Sequence, residues 1–434
     1  MHSSSVQFSA EARAGGLRKL PLSTPAPPTA RLPRKCQFTP EGQPMSLTIV
    51  HGAQELAEHF AAWENLAANT CERNVFYEPW MLLPALTAFG AGAALRFVLI
   101  YTTGPSNEGS KPVLCGFFPL QLHSRFKGMP VGYTSLWRYS YCYLCTPLLR
   151  PEYASDCLAA FFTWLERAPE SGALLKLEWV ASDGLFQQLL TDYFNQTRKL
   201  LTVEEQFNRA LLERTSTGSA AAEAYINTAL SGKRRKELRR QEKLLRDLGQ
   251  LEYVEASAET LTGAQAESWF EQFLQLEAQG WKGAEGSALA SAPASREFFL
   301  QIARGAAERG QLMLLALHLD GKPIAMKCNL LAGEGSFAFK IAFDEAFASY
   351  SPGAQLELEN IRRVHASTNR TDLVWMDSCA TSKHFMINRL WLARRSITTM
   401  LVATGKAGGN FLVSVAPLLR WVKRKFFDQV SAQR

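Results

Sequence analysis

The stretch Leu312–Val364, LMLLALHLDGKPIAMKCNLLAGEGSFAFKIAFDEAFASYSPGAQLELENIRRV, decides the fold class. It contains three strand-like runs, Leu312–Leu319, Pro323–Leu331 and Ser336–Phe343, and then a helix to about Val364. Asp320-Gly321 is a two-residue hairpin signal, because glycine accepts the positive φ that primed turns demand. Gly333-Glu334-Gly335 supplies the second turn. The three runs therefore predict an antiparallel meander. Leu373–Met376 reads as a further strand, so the order is meander, glycine-containing turn, helix, strand.

The turn before the helix is Tyr350-Ser351-Pro352-Gly353-Ala354-Gln355. A helix that begins there presents unpaired N–H groups and the positive end of its dipole, which suits an anion. Ser351 is a favoured N-cap, Pro352 fits the first helical position, and Gly353 lets a ligand approach the main chain. A well-capped helix without a ligand satisfies the same residues.

Working outward, a long charged helix spans about Ser219–Leu248, with Leu238, Leu244, Leu245 and Leu248 on its apolar side. Gly249 ends it in the usual place for a left-handed residue. A strand, Leu251–Val254, and two helices, Ala264–Ala278 and Arg296–Arg309, lead to the meander, with Gly310 ending the second helix. In the first half, Ala53–Leu66, Tyr153–Arg167 and Gly184–Phe194 read as helices, and Leu95–Tyr101, Val113–Leu122 and Leu174–Val180 as strands. The alternation predicts an α/β (α+β) layer design, a sheet covered by helices.

At 434 residues the chain is long enough for two domains. The expected division is a disordered extension over 1–45, domains over 46–203 and 204–400, and a basic amphipathic helix within 401–434. Met45 opens the first strand-like pattern and is an alternative translation start. A composition of 47% hydrophobic, 11% aromatic and 20% charged residues excludes a disordered chain. No window of about 18 uncharged apolar residues occurs, since Met81–Leu95 is broken by Pro84, Gly90 and Gly92, so a membrane span is not expected. The formal charge of +7 fits a nucleotide-bearing cofactor or an anionic membrane surface. Eight scattered cysteines without an export signal point to reduced thiols in a cytoplasm. Cys142 and Cys145 have zinc-like spacing, but no second ligand pair follows, so no metal site is expected.

Several ordered motifs between about Lys233 and Arg395 carry a resemblance. They are Trp281-Lys282-Gly283, Gly286-Ser287-Ala288, Asp320-Gly321-Lys322-Pro323-Ile324-Ala325 and Phe339-Lys340-Ile341-Ala342-Phe343-Asp344. Tyr350-Ser351-Pro352-Gly353, Met376-Asp377-Ser378-Cys379-Ala380, His384 and Leu390-Trp391 follow in order. Together they resemble the BioF2-like (CelD-type) acetyltransferases of the GNAT superfamily. The resemblance implies tandem GNAT-like domains, each a mixed, mostly antiparallel sheet flanked by helices, similar to Fem-type transferases. It implies an N-acyltransferase using acetyl-CoA or another acyl-CoA, with Ser351, Pro352, Gly353, Ala354 and Gln355 as the pyrophosphate turn. The usual Q/R-x-x-G-x-G/A signature is absent, and Gly353 alone stands in an equivalent role. The acceptor it implies is an amine of a polysaccharide precursor, amino sugar or peptide.

Such chemistry removes a proton from the amine and stabilises an oxyanion. Asp377, at the end of a short apolar strand, is the first candidate for base or amine orientation, with His384 sharing the proton or holding Asp377. Asp344 and Lys340 flank the neighbouring strand end. They pair with each other, or Lys340 meets a phosphate or a substrate carboxylate. Cys379 is expected to pack, because no nucleophile signature surrounds it.

The basic residues of the long helix, among them Lys233, Arg234, Arg239 and Lys243, read either as a solvated face or as a phosphate contact, including that of a charged tRNA donor. The apolar side of 411–430 fits peripheral contact with an inner membrane or docking on the protein itself. A non-catalytic binding role in envelope or exopolysaccharide assembly is the third alternative. No DNA partner is expected.

Overall fold

The computed structural model describes residues 45–102, 112–257, 263–366 and 373–418. The extension expected over 1–45 lies, apart from Met45, outside these residues. The first half comprises β1 (Met45–Val50), α1 (Ala53–Glu58), α2 (Phe60–Ala68), α3 (Pro79–Phe89), β2 (Ala94–Thr102), β3 (Leu114–His123), β4 (Tyr133–Leu136), β5 (Leu148–Leu149), α4 (Ala154–Arg167), β6 (Leu174–Ala181), α5 (Leu185–Thr197) and β7 (Leu201–Glu213). The second comprises α6 (Ser219–Ala229), α7 (Gly232–Leu248), β8 (Leu251–Ser257), α8 (Gly263–Gln279), α9 (Trp281–Ala284), α10 (Pro293–Glu308), β9 (Leu312–Leu319), β10 (Lys322–Ala332), β11 (Gly335–Phe343), α11 (Pro352–Ala366), β12 (Trp375–Asp377), α12 (Ile387–Leu390) and β13 (Ala393–Ala403).

All the strands join one 13-stranded sheet in the order β1-β2-β3-β4-β6-β13-β7-β12-β11-β10-β9-β8, with β5 beside β3. The two halves repeat one plan. Each has an antiparallel run ending in a strand that pairs in parallel with the strand after its crossover helix: β4 with β6 across α4, and β11 with β12 across α11. Each half is thus a mixed, mostly antiparallel sheet flanked by helices. The closing strands are exchanged. β7 follows β6 in the chain yet pairs with β12 and β13, while β13 follows β12 yet pairs with β6.

The expected boundaries fall within the exchanged strands. Residue 203 falls inside β7 and residue 400 inside β13, so neither lies in a linker. The long charged helix is also two helices, because Leu230 turns extended after the first and Ser231 caps the second, its side chain accepting the Arg234 N–H at 3.3 Å. Gly249 ends α7 in extended backbone, φ 170°, rather than left-handed. Asp320 and Gly321, at φ 49° and 74°, make the primed turn between β9 and β10, and Gly310 is left-handed at 66°.

Two apolar clusters meet on opposite faces of β11. One joins Phe337, Phe339 and Ala342 to α8, α10 and the core of the first half. The other packs Ala338 and Phe343 against α7, α11 and α12. Leu356, Ile361 and Val364 of α11 are buried, each worth about 1.5–3 kcal/mol over exposure, which fixes where that helix begins. A helix over 409–418 ends the described chain, and the rest of the expected 411–430 segment lies beyond it.

Candidate active site

β11 and β12 pair over three positions, Gly335 with Trp375, Ser336 with Met376 and Phe337 with Asp377. β12 then stops while β11 runs on to Phe343. The two strands splay there, which leaves the β12-facing edge of Ala338–Phe343 without a strand partner. Against β10 the register slips at the same place. Cys328 faces Lys340 and Asn329 faces Ala338, so Phe339 is the extra residue of a β-bulge. The bulge turns Phe339 and Lys340 to the same face: Phe339 meets Tyr141 and Tyr143, and Lys340 Nζ lies 4.9 Å from the Tyr141 ring centre.

On the other face, α11 starts at a cavity of about 750 Å³, within the range of small-molecule sites. Its lining includes Ser351, Pro352, Gly353 and Ala354, with Phe343, Met386 and Trp391 as apolar walls and Arg234, Arg389 and Arg394 as cations. Pro352 has no N–H, Ser351 donates its own to Ala348, and Ala354 and Gln355 donate to the Ser351 carbonyl. The Gly353 N–H makes no hydrogen bond among the described residues. Ser351 adopts φ 54°, an uncommon conformation for a residue with a Cβ, and Cys379 beside the splay adopts 53°. Arg394 is committed to the carbonyls of Asn388, Trp391 and Ala393. Arg234 and Arg389 have no ion-pair partner among the described residues.

The structure brings the expected turn residues Ser351, Pro352, Gly353 and Ala354 together at this cavity. Gln355 points away, buried, its Nε2 donating to the Leu238 carbonyl at 2.7 Å. Lys340 is on the opposite face and pairs with Glu277 at 3.4 Å, not with Asp344. Asp344 caps the turn after β11 by accepting the Ala346 N–H at 2.9 Å.

Asp377 is fully buried. Its Oδ2 accepts from Arg209 at 2.7 Å and Arg395 at 3.1 Å, and its Oδ1 accepts the Cys379 N–H at 2.9 Å. Burial alone would raise its pKa, but the two guanidiniums outweigh burial and hold the carboxyl below the usual aspartate value. A carboxylate held ionised in this way is a weak proton acceptor and a firm strut for the end of β12. His384 is half-buried beside the splay, with the charges of Glu357, Lys327 and Lys282 around it. Burial lowers its pKa, so its imidazole is neutral at pH 7.

Three charged groups carried no role in the sequence. Lys327 and Glu357 form a buried ion pair beneath the splay, with Asn360 Nδ2 donating to Glu357 Oε2 at 3.4 Å. Glu277, also buried, holds Lys282 at 3.0 Å as well as Lys340. Its sequence signal is a carboxylate inside the apolar stripe Phe270, Phe273, Leu274 of α8. Among the described residues no group of three or more His, Cys, Asp or Glu side chains is placed to hold a metal.

A helix therefore starts beside a splayed, bulged strand, and the comparison with sequence families covers the same stretch. Residues 232–377 match the acetyltransferase (GNAT) domain. The matched region contains the bulge, the splay, the α11 turn and Asp377. No curated protein matches the chain at a significant level. A conserved protein of unknown function from Bacteroides thetaiotaomicron VPI-5482 is similar in structure at 10% identity, with a TM-score of 0.50 over 82% of this chain and 100% of that one. FemX aligns at 11% identity and TM-score 0.49, over 81% of this chain and 96% of its own. A tandem GNAT protein from the clavulanic acid biosynthesis pathway aligns at 12% identity and TM-score 0.41, over 83% and 100%. At 10% identity the likeness to the Bacteroides protein is one of fold.

Proposed function

We propose that the chain is an N-acyltransferase that takes an acyl group, acetyl first among them, from acyl-CoA held at the start of α11. The acceptor is an amine of a polysaccharide precursor, amino sugar or peptide, in keeping with the resemblance to BioF2-like (CelD-type) enzymes. Reaction in the cytoplasm, with peripheral inner-membrane contact through 411–430, is part of the same reading. The observation that carries it is the cavity at Ser351–Ala354, which adjoins the splay. The Gly353 N–H, the α11 dipole and the free Arg234 and Arg389 suit the phosphates.

The acyl arm then follows the open edge of β11. The neutral amine attacks the thioester carbonyl, a C–N bond forms, the C–S bond breaks, and CoA leaves as the thiolate, which is then protonated by the proton that His384 has taken from the amine. N–H groups along the open edge serve the oxyanion. His384, neutral and at the splay, receives the amine proton, while Asp377 positions the end of β12 through Arg209 and Arg395.

Isothermal titration with acetyl-CoA tests the donor. Binding is expected, and Arg234→Ala with Arg389→Ala together should weaken it by roughly tenfold or more, each charge-assisted contact being worth about 1.5–3 kcal/mol. One observation favours a second donor, a charged tRNA: Lys233, Lys236, Arg239 and Lys243 are exposed on α7, the helix that lends Arg234 and Leu238 to the cavity lining. No heat with acetyl-CoA, and binding of aminoacyl-tRNA, would move the function there.

A further inference from the structure

The face of the sheet away from the donor cavity carries a charge imbalance that the donor site does not use. Both oxygens of buried Glu277 are occupied: Oε2 accepts the Leu289 N–H at 2.8 Å, and Oε1 faces Lys282 at 3.0 Å and Lys340 at 3.4 Å. One carboxylate thus serves two ammonium groups. The neighbouring carboxylate, Glu345, is taken by the Trp281 N–H at 2.6 Å. The two lysine side chains are only 20% and 11% exposed, so water gives them limited compensation. Each ammonium carries three donors. Lys282 spends one on Glu277 and one on the Ile341 carbonyl at 2.7 Å, and Lys340 spends one on Glu277.

Their location gives the imbalance a purpose. Ile341 pairs across β10 with Lys327, and its carbonyl is free to meet Lys282, so that ammonium stands at the edge from which β12 has departed. Lys340 reaches the same face because of the bulge, and the Tyr141 ring beneath it comes from the first half of the chain. Two cations fixed by separate elements, α9 and β11, therefore flank the mouth of the splay on the side opposite the donor.

We infer that Lys282 and Lys340 bind an anionic group, a carboxylate or a phosphate, carried by the acceptor next to its reacting amine. This rests on the acyl-transfer reading and names its acceptor class: an amino acid, peptide or phosphorylated amino sugar, not a neutral sugar amine. The acceptor's anion balances the second ammonium and sets the amine's distance from the thioester.

Calorimetric titration of the CoA-saturated protein tests this with two matched pairs, glycylglycine against glycylglycine amide and glucosamine 6-phosphate against glucosamine. In at least one pair the anionic member should bind ten times more tightly or better, and which pair shows it identifies carboxylate or phosphate. The preference should fall below threefold in Lys282→Met and Lys340→Met and survive in Lys340→Arg, with CoA affinity unchanged in all three. Equal binding within both pairs, or a preference kept by both methionine variants, overturns the inference. Absent CoA binding with the anion preference intact would instead remove the donor assignment alone.

Discussion

At the level of single residues, what distinguishes the two candidate proton carriers is what each touches. His384 has a pKa below 6.5 because burial disfavours its charged form, so it is ready to accept a proton at pH 7. Turnover should fall on the acid side below pH 6.5, and His384→Gln should lower kcat by about 10²–10⁴-fold and abolish that acid limb. A variant with the same acid limb and near-normal kcat would remove the role. For Asp377 the expectation concerns stability. Asp377→Asn leaves Arg209 and Arg395 without their shared carboxylate, which should cost about 3–5 kcal/mol in urea unfolding. Because the folded pKa is depressed, that contribution is present above 3.8 and disappears as pH falls through the lower folded value, so variant and parent should converge in acid. A constant gap down to pH 2 would contradict the ion-pair account. The sequence placed Asp377 at a strand end and read the end as chemistry. Arg209, which decides its state, stands 168 residues earlier, where no local pattern links the two.

Elements differ in how far their own residues specify them. The β9–β10 hairpin was legible because Asp320-Gly321 has to adopt positive φ at both positions, as it does. The helix start at Pro352 was legible for the same kind of reason, a local rule about which residue fits which position. The bulge at Phe339 was not, since it exists only relative to β10. β7 was not read as a strand, since the expected boundary fell at 203 and 204, and Glu204, Glu205 and Gln206 lie on its more exposed part. A Cβ at Gly353 would stand 3.5 Å from the Phe343 ring and 3.9 Å from Met386, ordinary contact distances, so the fold tolerates it. Gly353→Val should keep the parent's melting temperature while weakening acetyl-CoA binding more than tenfold, because the added methyls occupy the space proposed for the ligand beside the backbone. Unchanged affinity by calorimetry would place the donor elsewhere.

Across the whole molecule, the exchanged strands bind the halves into one cooperative object. β13 pairs with β6 and with β7, and β7 pairs with β12, so each half lacks its closing strand without the other. Urea unfolding followed by tryptophan fluorescence and by far-ultraviolet circular dichroism should give one coincident transition, and two separated transitions would show independent halves. The repeated half was expected only through the family resemblance, and the pairing of β13 was not legible, because its plain apolar pattern names no partner. The same exchange sets a timetable for synthesis. As the nascent chain leaves the ribosome, β6 emerges with its outer edge bare, and the strand that covers it follows about two hundred residues later. At about 5–20 residues per second that edge waits roughly ten to forty seconds, so the newborn protein must be shielded from its neighbours until its last strand arrives.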